Sequence, residues 1–393
     1  MSINLIVDPY SMTGLIEKIG LNYEKPAFRS HQWIAKVFEV PRIQPKVILL
    51  GTSRAAHGLD PLDPAFAGKL TYNLAIDGAQ ISEIKDLFEH ATNTSKIEIA
   101  IIGLDLVSFN NNIGDTKLRR DLMDVDNQKR SVSRLLETLK TSMSLEALFS
   151  SYQTIRAQNV PPEFTHNGQR TSKYYQNFID EFGGTRAACE GYLNEISSNR
   201  KTINSPDNRV MSSHWNDIQA IIDQARKRNI ELHFFISPTH AWDLEYLRAW
   251  GEWQRFLDWK RNLVRIIDDT SFHQKENTAY AKMTLWDFSG YNSVTTEEIP
   301  PPKAANPNMK YFWEFSHYRT RVGGWILERL LNNGNTKNGI PTDFGTILNR
   351  DNIETHIIHS DQAREEYIIR NSKDIILIND IVKLYKTQAI GRQ

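Results

Sequence analysis

A chain of 393 residues with an ordinary apolar fraction can bury a full α/β core, and one large domain with an insertion and a tail is the organisation it predicts. Its 47 basic residues balance 47 acidic ones, so no net field draws it to a polyanion and nucleic-acid binding has no support. Cys189, the single cysteine, excludes an internal disulfide and any cysteine-based zinc site and leaves the redox compartment open.

The first residues, Met1-Ser2-Ile3-Asn4-Leu5-Ile6-Val7-Asp8-Pro9, have no basic start, and their apolar run is too short for a signal peptide or a membrane span. Residues 1–45 read as an arm packed on the core, with Pro9, Gly14, Gly20 and Pro26 as punctuation and a helix over 32–39. A continuous apolar run over 47–50 ends at Gly51, and a second over 97–102 ends at Gly103. Such runs suit strands covered on both faces, hence a parallel sheet. Between them Ile84, Leu87 and Phe88 recur at helical spacing over 82–92, with Ser82 as the expected cap.

Charged, Asn-rich and Pro-Pro segments interrupt this rhythm over about 110–206 and read as a mostly helical insertion. Strands follow over 231–238 and 282–288, with a helix before the first over 218–228 and a helix over 322–331. A loop over 333–339 leads to a helical tail over 336–393, patterned around 361–369 and 375–385. The expected fold class is α/β: a three-layer α/β/α domain over 46–335 with a central, mostly parallel sheet, a helical insertion and a helical C-terminal tail.

In an open α/β sheet ligands bind beyond the carboxyl ends of the strands. Ser53, Asp105, His240, Asp287 and His317 all follow or end predicted strands, or sit in the last loop before a helix, and so share one edge. A serine hydroxyl needs a base within hydrogen-bond reach and an acid that orients the base, and Ser53, His317 and Glu314 can supply these three roles. Each has a plainer reading. A Gly-x-Ser turn after a strand is common without catalysis, His317 could pack under Tyr318, and His57 and His240 suit structural places better than catalytic ones. Asp287 could bond loop amides. Trp242, Trp250, Trp253 and Trp259 lie in a helical stretch in which Trp250 and Trp253 share a face; core packing is favoured over a sugar-stacking wall.

These residues resemble the SGNH (GDSL-like) hydrolase superfamily, in its bacterial branch of polysaccharide esterases and O-acetyltransferase-like proteins, whose sheet is flavodoxin-like. Gly51-Thr52-Ser53-Arg54 resembles the nucleophile block, with Thr52 where many members have Asp. Asn73-Leu74-Ala75-Ile76-Asp77-Gly78 is similar to the second block, Gly103-Leu104-Asp105 with Asn110 behind it occupies the third, and Glu314-Phe315-Ser316-His317 corresponds to Asp-x-x-His with Glu for Asp. The resemblance implies that Ser53 attacks an ester carbonyl, His317 carries its proton, Glu314 orients the imidazole, and the amides of Ser53 and Gly78 hold the oxyanion. Asp105 departs from the Asn that superfamily hydrolases place there. Asn110 or Arg54 would have to replace that donor, unless the enzyme is slow or Asp105 is structural; His240 completes the residues expected around oxyanion and substrate.

The implied substrate is an acyl ester, acetyl above all, of a bacterial surface polysaccharide or glycan, with water or a sugar hydroxyl as acceptor. No cofactor or metal is implied. The alternative is a catalytically weak or inactive domain that binds glycan or scaffolds polysaccharide assembly; a metal-dependent hydrolase built on His240, Asp287 and His317 is weaker, because no metal-ligand spacing is present. The resemblance also implies an extracytoplasmic protein, often anchored to a membrane by a segment ahead of one like 4–9, and leaves a cytoplasmic member open. The oligomeric state is not legible.

Overall fold

The structure, a computed structural model, describes residues 2–110, 118–200, 208–272, 282–302, 304, 307–332 and 339–390. The loop expected over 333–339 lies outside them except for Gly339, as do parts of the predicted insertion, 111–117 and 201–206.

Six strands form one sheet: β1 (Val47–Leu50), β2 (Thr71–Asn73), β3 (Ile99–Leu104), β4 (Glu231–Ile236), β5 (Met283–Asp287) and β6 (Thr346–Ile347). Their order is β2-β1-β3-β4-β5-β6, the first five parallel and β6 antiparallel to β5. Successive side chains leave a strand on opposite faces, and here both faces are covered. Ile48, Leu50, Ile102, Leu104, Leu232 and Phe234 enter one core, while Val47, Leu49, Ile101 and Phe235 enter the other. That two-sided burial is why the strands read as unbroken apolar runs.

The N-terminal arm holds α1 (Ser2–Val7) and α2 (Phe28–Ile43), followed by α3 (Ser53–Gly58) and α4 (Ile81–Thr94). The insertion supplies α5 (Asn127–Ser142), α6 (Leu145–Arg156), α7 (Lys173–Phe182) and α8 (Thr185–Ser198). Then come α9 (Asn208–Lys227), α10 (Ala241–Trp250), α11 (Trp253–Phe272), α12 (Thr320–Leu331), α13 (Ile353–Arg370) and α14 (Ser372–Ile390). Buried faces of α2, α4, α9 and α11 fill the first core; α3, α8, α10, α12 and α14 contribute to the second. The result is the three-layer α/β/α architecture. Among the described residues no helix is long and apolar enough to cross a membrane.

Three local expectations are corrected. The strand expected over 97–102 runs Ile99–Leu104 with Gly103 inside it, because a Cβ at 103 would lie 2.9 Å from the Phe235 ring on the next strand. Helix α4 starts at Ile81 and is capped by Gln80, not Ser82; the Glu83 side chain accepts from the Gln80 amide at 2.9 Å, closing a capping box. Trp250 and Trp253 do not share a helix face, since Gly251 at φ +84° ends α10 between them. Strands β2 and β6, three and two residues long, were too short to carry a periodic signal.

Helices α3 and α12 cross closely enough that a Cβ on Gly323 would sit 1.7 Å from the Gly58 carbonyl oxygen, whereas one on Gly324 would meet only the Asp63 carboxylate at 3.1 Å. Gly323→Ala is expected to cost about 3 kcal/mol in urea unfolding, because backbone must move. Gly324→Ala, which relieves a helix-interior glycine, should stay within about 1 kcal/mol of the parent. Equal midpoints for the two variants would show that the helices do not approach this closely.

Candidate active site

The strand order reverses between β1 and β3, so a crevice opens beyond their carboxyl ends, where an α/β sheet places its ligands. The chain leaves β1 through Gly51 at φ +142°, a conformation that favours glycine, and a Cβ there would lie 3.0 Å from the Gly103 carbonyl oxygen. Thr52 caps α3 by accepting from the Arg54 amide at 3.3 Å, and Ser53 opens the helix half-buried at the crevice. As the first helical residue, Ser53 has an amide without an intrahelical acceptor.

The candidate base and acid, His317 and Glu314, come from the loop between 312 and 318. Phe312 and Tyr318 form an antiparallel bridge, and the Trp313 amide donates to the His317 carbonyl at 2.9 Å. Phe312, Phe315 and Tyr318 are fully buried anchors, which leaves Glu314 and His317 on the same side of the turn. His317 Nε2 lies 2.7 Å from Ser53 Oγ, and His317 Nδ1 is bonded to the Glu314 carboxylate. The other Glu314 oxygen accepts from the Ser316 amide at 2.7 Å. Tyr175 of α7 packs its ring 4.9 Å from that of His317, and His57, buried in α3, lies behind both. Ser53, His317 and Glu314, the candidate nucleophile, base and orienting acid, are thus consecutive hydrogen-bond partners.

Arg54 fastens this assembly. Its guanidinium donates to Asp105 at 2.8 Å, to Asp243 of α10 at 2.8 Å, and to the carbonyl and hydroxyl of Ser316 at 3.0 Å each. Burial alone would lower Arg54, but Asp105 and then Asp243 more than offset it, and the guanidinium stays charged. Burial raises the Asp243 carboxyl while Arg54 opposes the rise. Asp105, 2% exposed, also accepts the Thr52 hydroxyl at 2.6 Å. Both its oxygens are therefore engaged by the nucleophile turn, which is a structural place rather than that of an oxyanion donor.

Gly78, at φ +68°, borders the same cavity as Ser53. The turn that carries it is pinned from below by Lys36 of α2, whose buried ammonium donates to the carbonyls of Asn73 (2.9 Å), Ala75 (2.6 Å) and Gly168 (2.9 Å), and burial pushes it down to about 7. Asn73 in turn donates to the Ala55 and Leu59 carbonyls at the end of α3. Asn110 borders the cavity, and its side-chain oxygen accepts from Arg255, a bond that orients the amide. His240 caps α10, accepting from the Trp242 amide at 3.2 Å and bonded through Nε2 to the Glu297 carbonyl at 2.6 Å; 1% exposed, it is not among the residues that border the cavity.

Asp287 belongs to a separate buried cluster with Lys260 (2.6 Å), His356 (2.9 Å) and Ser289. Burial would raise its carboxyl, and Lys260 with His356 hold it far below the usual range instead. His240, Asp287 and His317 thus have three different sets of partners. Among the described residues no group of three or more His, Cys, Asp or Glu is gathered to hold a metal. Trp242 and Trp259 are fully buried, and Trp259 also borders the cavity; Arg200 covers Trp250 and Arg248 covers Trp253. Lys36, Tyr175, Tyr192 and Asp243 were not anticipated. Lys36 stood on an apolar helix face beside Val37 and Val40, a readable anomaly; the others reach the site only through tertiary packing.

No family model matches the chain, and no curated protein matches it. The functional reading therefore stands on the constellation itself.

Burial lowers His240 to about 4, so the unfolded chain, with an ordinary histidine near 6.5, binds more protons between these values. Stability from a neutral His240 is then present above about pH 6.5 and is lost as pH falls towards 4, by up to about 1.4 kcal/mol per pH unit. His240→Asn keeps a capping oxygen and cannot titrate. Chemical unfolding of parent and variant between pH 4 and 7 should show a flatter dependence in the variant; parallel curves would mean that His240 is not held neutral.

Proposed function

We propose that this protein is an SGNH-type serine esterase or O-acyltransferase acting on acyl esters of a bacterial surface polysaccharide or glycan. The observation that carries the reading is the unbroken relay from Ser53 Oγ to His317 Nε2 at 2.7 Å and from His317 Nδ1 to Glu314. The acetyl group, the glycan and an extracytoplasmic address belong to the reading through the motif resemblance.

Ser53 Oγ attacks the ester carbonyl carbon as its proton passes to His317 Nε2, and Glu314 stabilises the imidazolium that forms. Negative charge grows on the carbonyl oxygen, and the amides of Ser53 and Gly78 are the donors available to it. When the C–O bond to the alcohol breaks, His317 returns the proton to the leaving oxygen, and the acyl group remains on Ser53. Water or a sugar hydroxyl then gives its proton to His317, attacks the acyl carbon, and releases Ser53, which recovers its proton from His317. Asp105 does not oppose this charge as a bare carboxylate would, because Arg54 faces it at 2.8 Å.

A fluorophosphonate probe should label Ser53 covalently, and Ser53→Ala or His317→Ala should abolish the label. Ser53→Ala is expected to lower kcat on an activated ester by about 10⁴-fold or more, and Glu314→Gln by about 10²- to 10⁴-fold. Absence of label on folded protein would sink the esterase reading and favour a binding or scaffolding domain. Asp105→Asn should not raise turnover, and it should cost about 2–4 kcal/mol of stability by breaking a buried pair. A gain in rate would mean that Asp105 itself faces the oxyanion.

A further inference from the structure

We propose that the acyl group this site accepts is a medium-length hydrocarbon chain of about six to ten carbons, held in the apolar cavity beside Ser53. The inference rests on the serine-esterase reading and departs from it on the acyl group.

The cavity that contains Ser53 and His317 has a volume of about 490 Å³. That is the size of a site for a drug-sized ligand, and an acetyl group of three heavy atoms occupies only a small part of it. Its walls come from three helices and are mostly apolar: Ile196 of α8, Leu244 and Leu247 of α10, and Phe256 and Trp259 of α11. Tyr192 and Asp243 lie on the same helices nearer the triad, the first with its ring 6.3 Å from that of His317 and the second bonded to Arg54. Ile196 and Leu247 each follow four residues later, about 6 Å along the helix axis. The space therefore continues past the reacting serine between aliphatic side chains.

A sugar ring in this space would bring several hydroxyls, each needing a partner once removed from water. The charged groups on the walls are already committed, Asp243 to Arg54 and Arg200 to Glu252. Two buried hydroxyls without a protein partner, Ser237 and Thr239, border the cavity, but they follow β4 and stand on the strand-end floor with Ser53. Polar atoms at the floor and hydrocarbon at Ile196, Leu244, Leu247 and Phe256 match an ester group with an alkyl chain behind it, and Asn199 with the Arg200–Glu252 pair borders the space further along. The alcohol part of the substrate is then left on the wetter side.

The test is a series of p-nitrophenyl esters from acetyl to decanoyl on the full chain. Each methylene buried adds about a fourfold factor to kcat/KM at best, and the octanoyl ester should exceed the acetyl ester by at least tenfold. Leu247→Trp fills the space and should lower the octanoyl-to-acetyl ratio by at least tenfold, a readout independent of the fraction of folded enzyme; Ile196→Trp gives the same ratio should Leu247→Trp not fold. Ser53-dependent turnover that favours acetyl, or a ratio unmoved by both variants, overturns the proposal and leaves the esterase reading intact. If no ester is turned over in a Ser53-dependent way, the esterase reading fails instead. In that case binding of 1-octanol to Ser53→Ala, at least tenfold tighter than 1-butanol and weakened by Leu247→Trp, keeps the cavity assignment, and its absence overturns it.

Discussion

A single half-buried guanidinium holds four separate pieces of chain in the one arrangement that lets a hydroxyl meet an imidazole. Arg54 stands next to Ser53 in sequence, and its guanidinium makes four hydrogen bonds, to the end of β3 through Asp105, to the first turn of α10 through Asp243, and to the triad loop through the carbonyl and hydroxyl of Ser316. A planar fork suits this task because each direction is fixed once the plane is fixed. Lysine would offer a point charge with no such geometry. The ion pairs bring little net stability, since desolvation offsets most of the attraction; what they bring is registry between Ser53 and His317.

The same interaction resolves the chemistry of Asp105. A free carboxylate at the end of β3 would repel an oxyanion, and a neutral amide there would leave Arg54 facing Asp243 alone. With Thr52 on one oxygen and Arg54 on the other, Asp105 becomes part of the turn that carries the nucleophile. A charge that would harm catalysis in isolation is thereby spent on positioning. Lys36 does comparable work on the opposite side of the turn, binding three carbonyls at no exposed surface and fixing the loop that presents Gly78.

How far the sequence was legible follows from the range of the interactions involved. The strands over 47–50 and 231–236 could be read because burial on both faces leaves a contiguous apolar signature, and the triad candidates because each sits at a strand end or in a loop whose neighbours are large apolar anchors. Arg54 was visible as a residue, but its two carboxylate partners lie 51 and 189 positions away, and no local pattern announces such a pairing. Asp243 carries no such local signal, although it lies beside His240 and Trp242. His240 reads from sequence as a strand-end candidate because a cap and a ligand share the same address, the start of a helix after a parallel strand. Only its bonds to the Trp242 amide and the Glu297 carbonyl separate the two roles.

The division of labour between sheet and helices follows from the same distinction. The reacting groups are fixed by short turns against the strand ends, where Gly51, Thr52 and the bridged loop over 312–318 leave little freedom. The cavity walls come from α8, in the insertion, and from α10 and α11, which α13 and α14 buttress: Arg364 pairs with Glu245 at 2.7 Å, and Asp374 joins Arg186 of α8 to the Trp242 indole of α10. Side chains at Ile196 and Leu247 can change without moving the triad, because α10 is tied to the triad loop at its first turn, through Asp243 and through the His240 amide that donates to the Phe315 carbonyl at 3.1 Å, and not at these wall positions. In the proposed reading, residues that would select the acyl group are therefore separable from residues that would do the chemistry. A site built so would keep one mechanism while the wall at Ile196 and Leu247 set which substrate reached it.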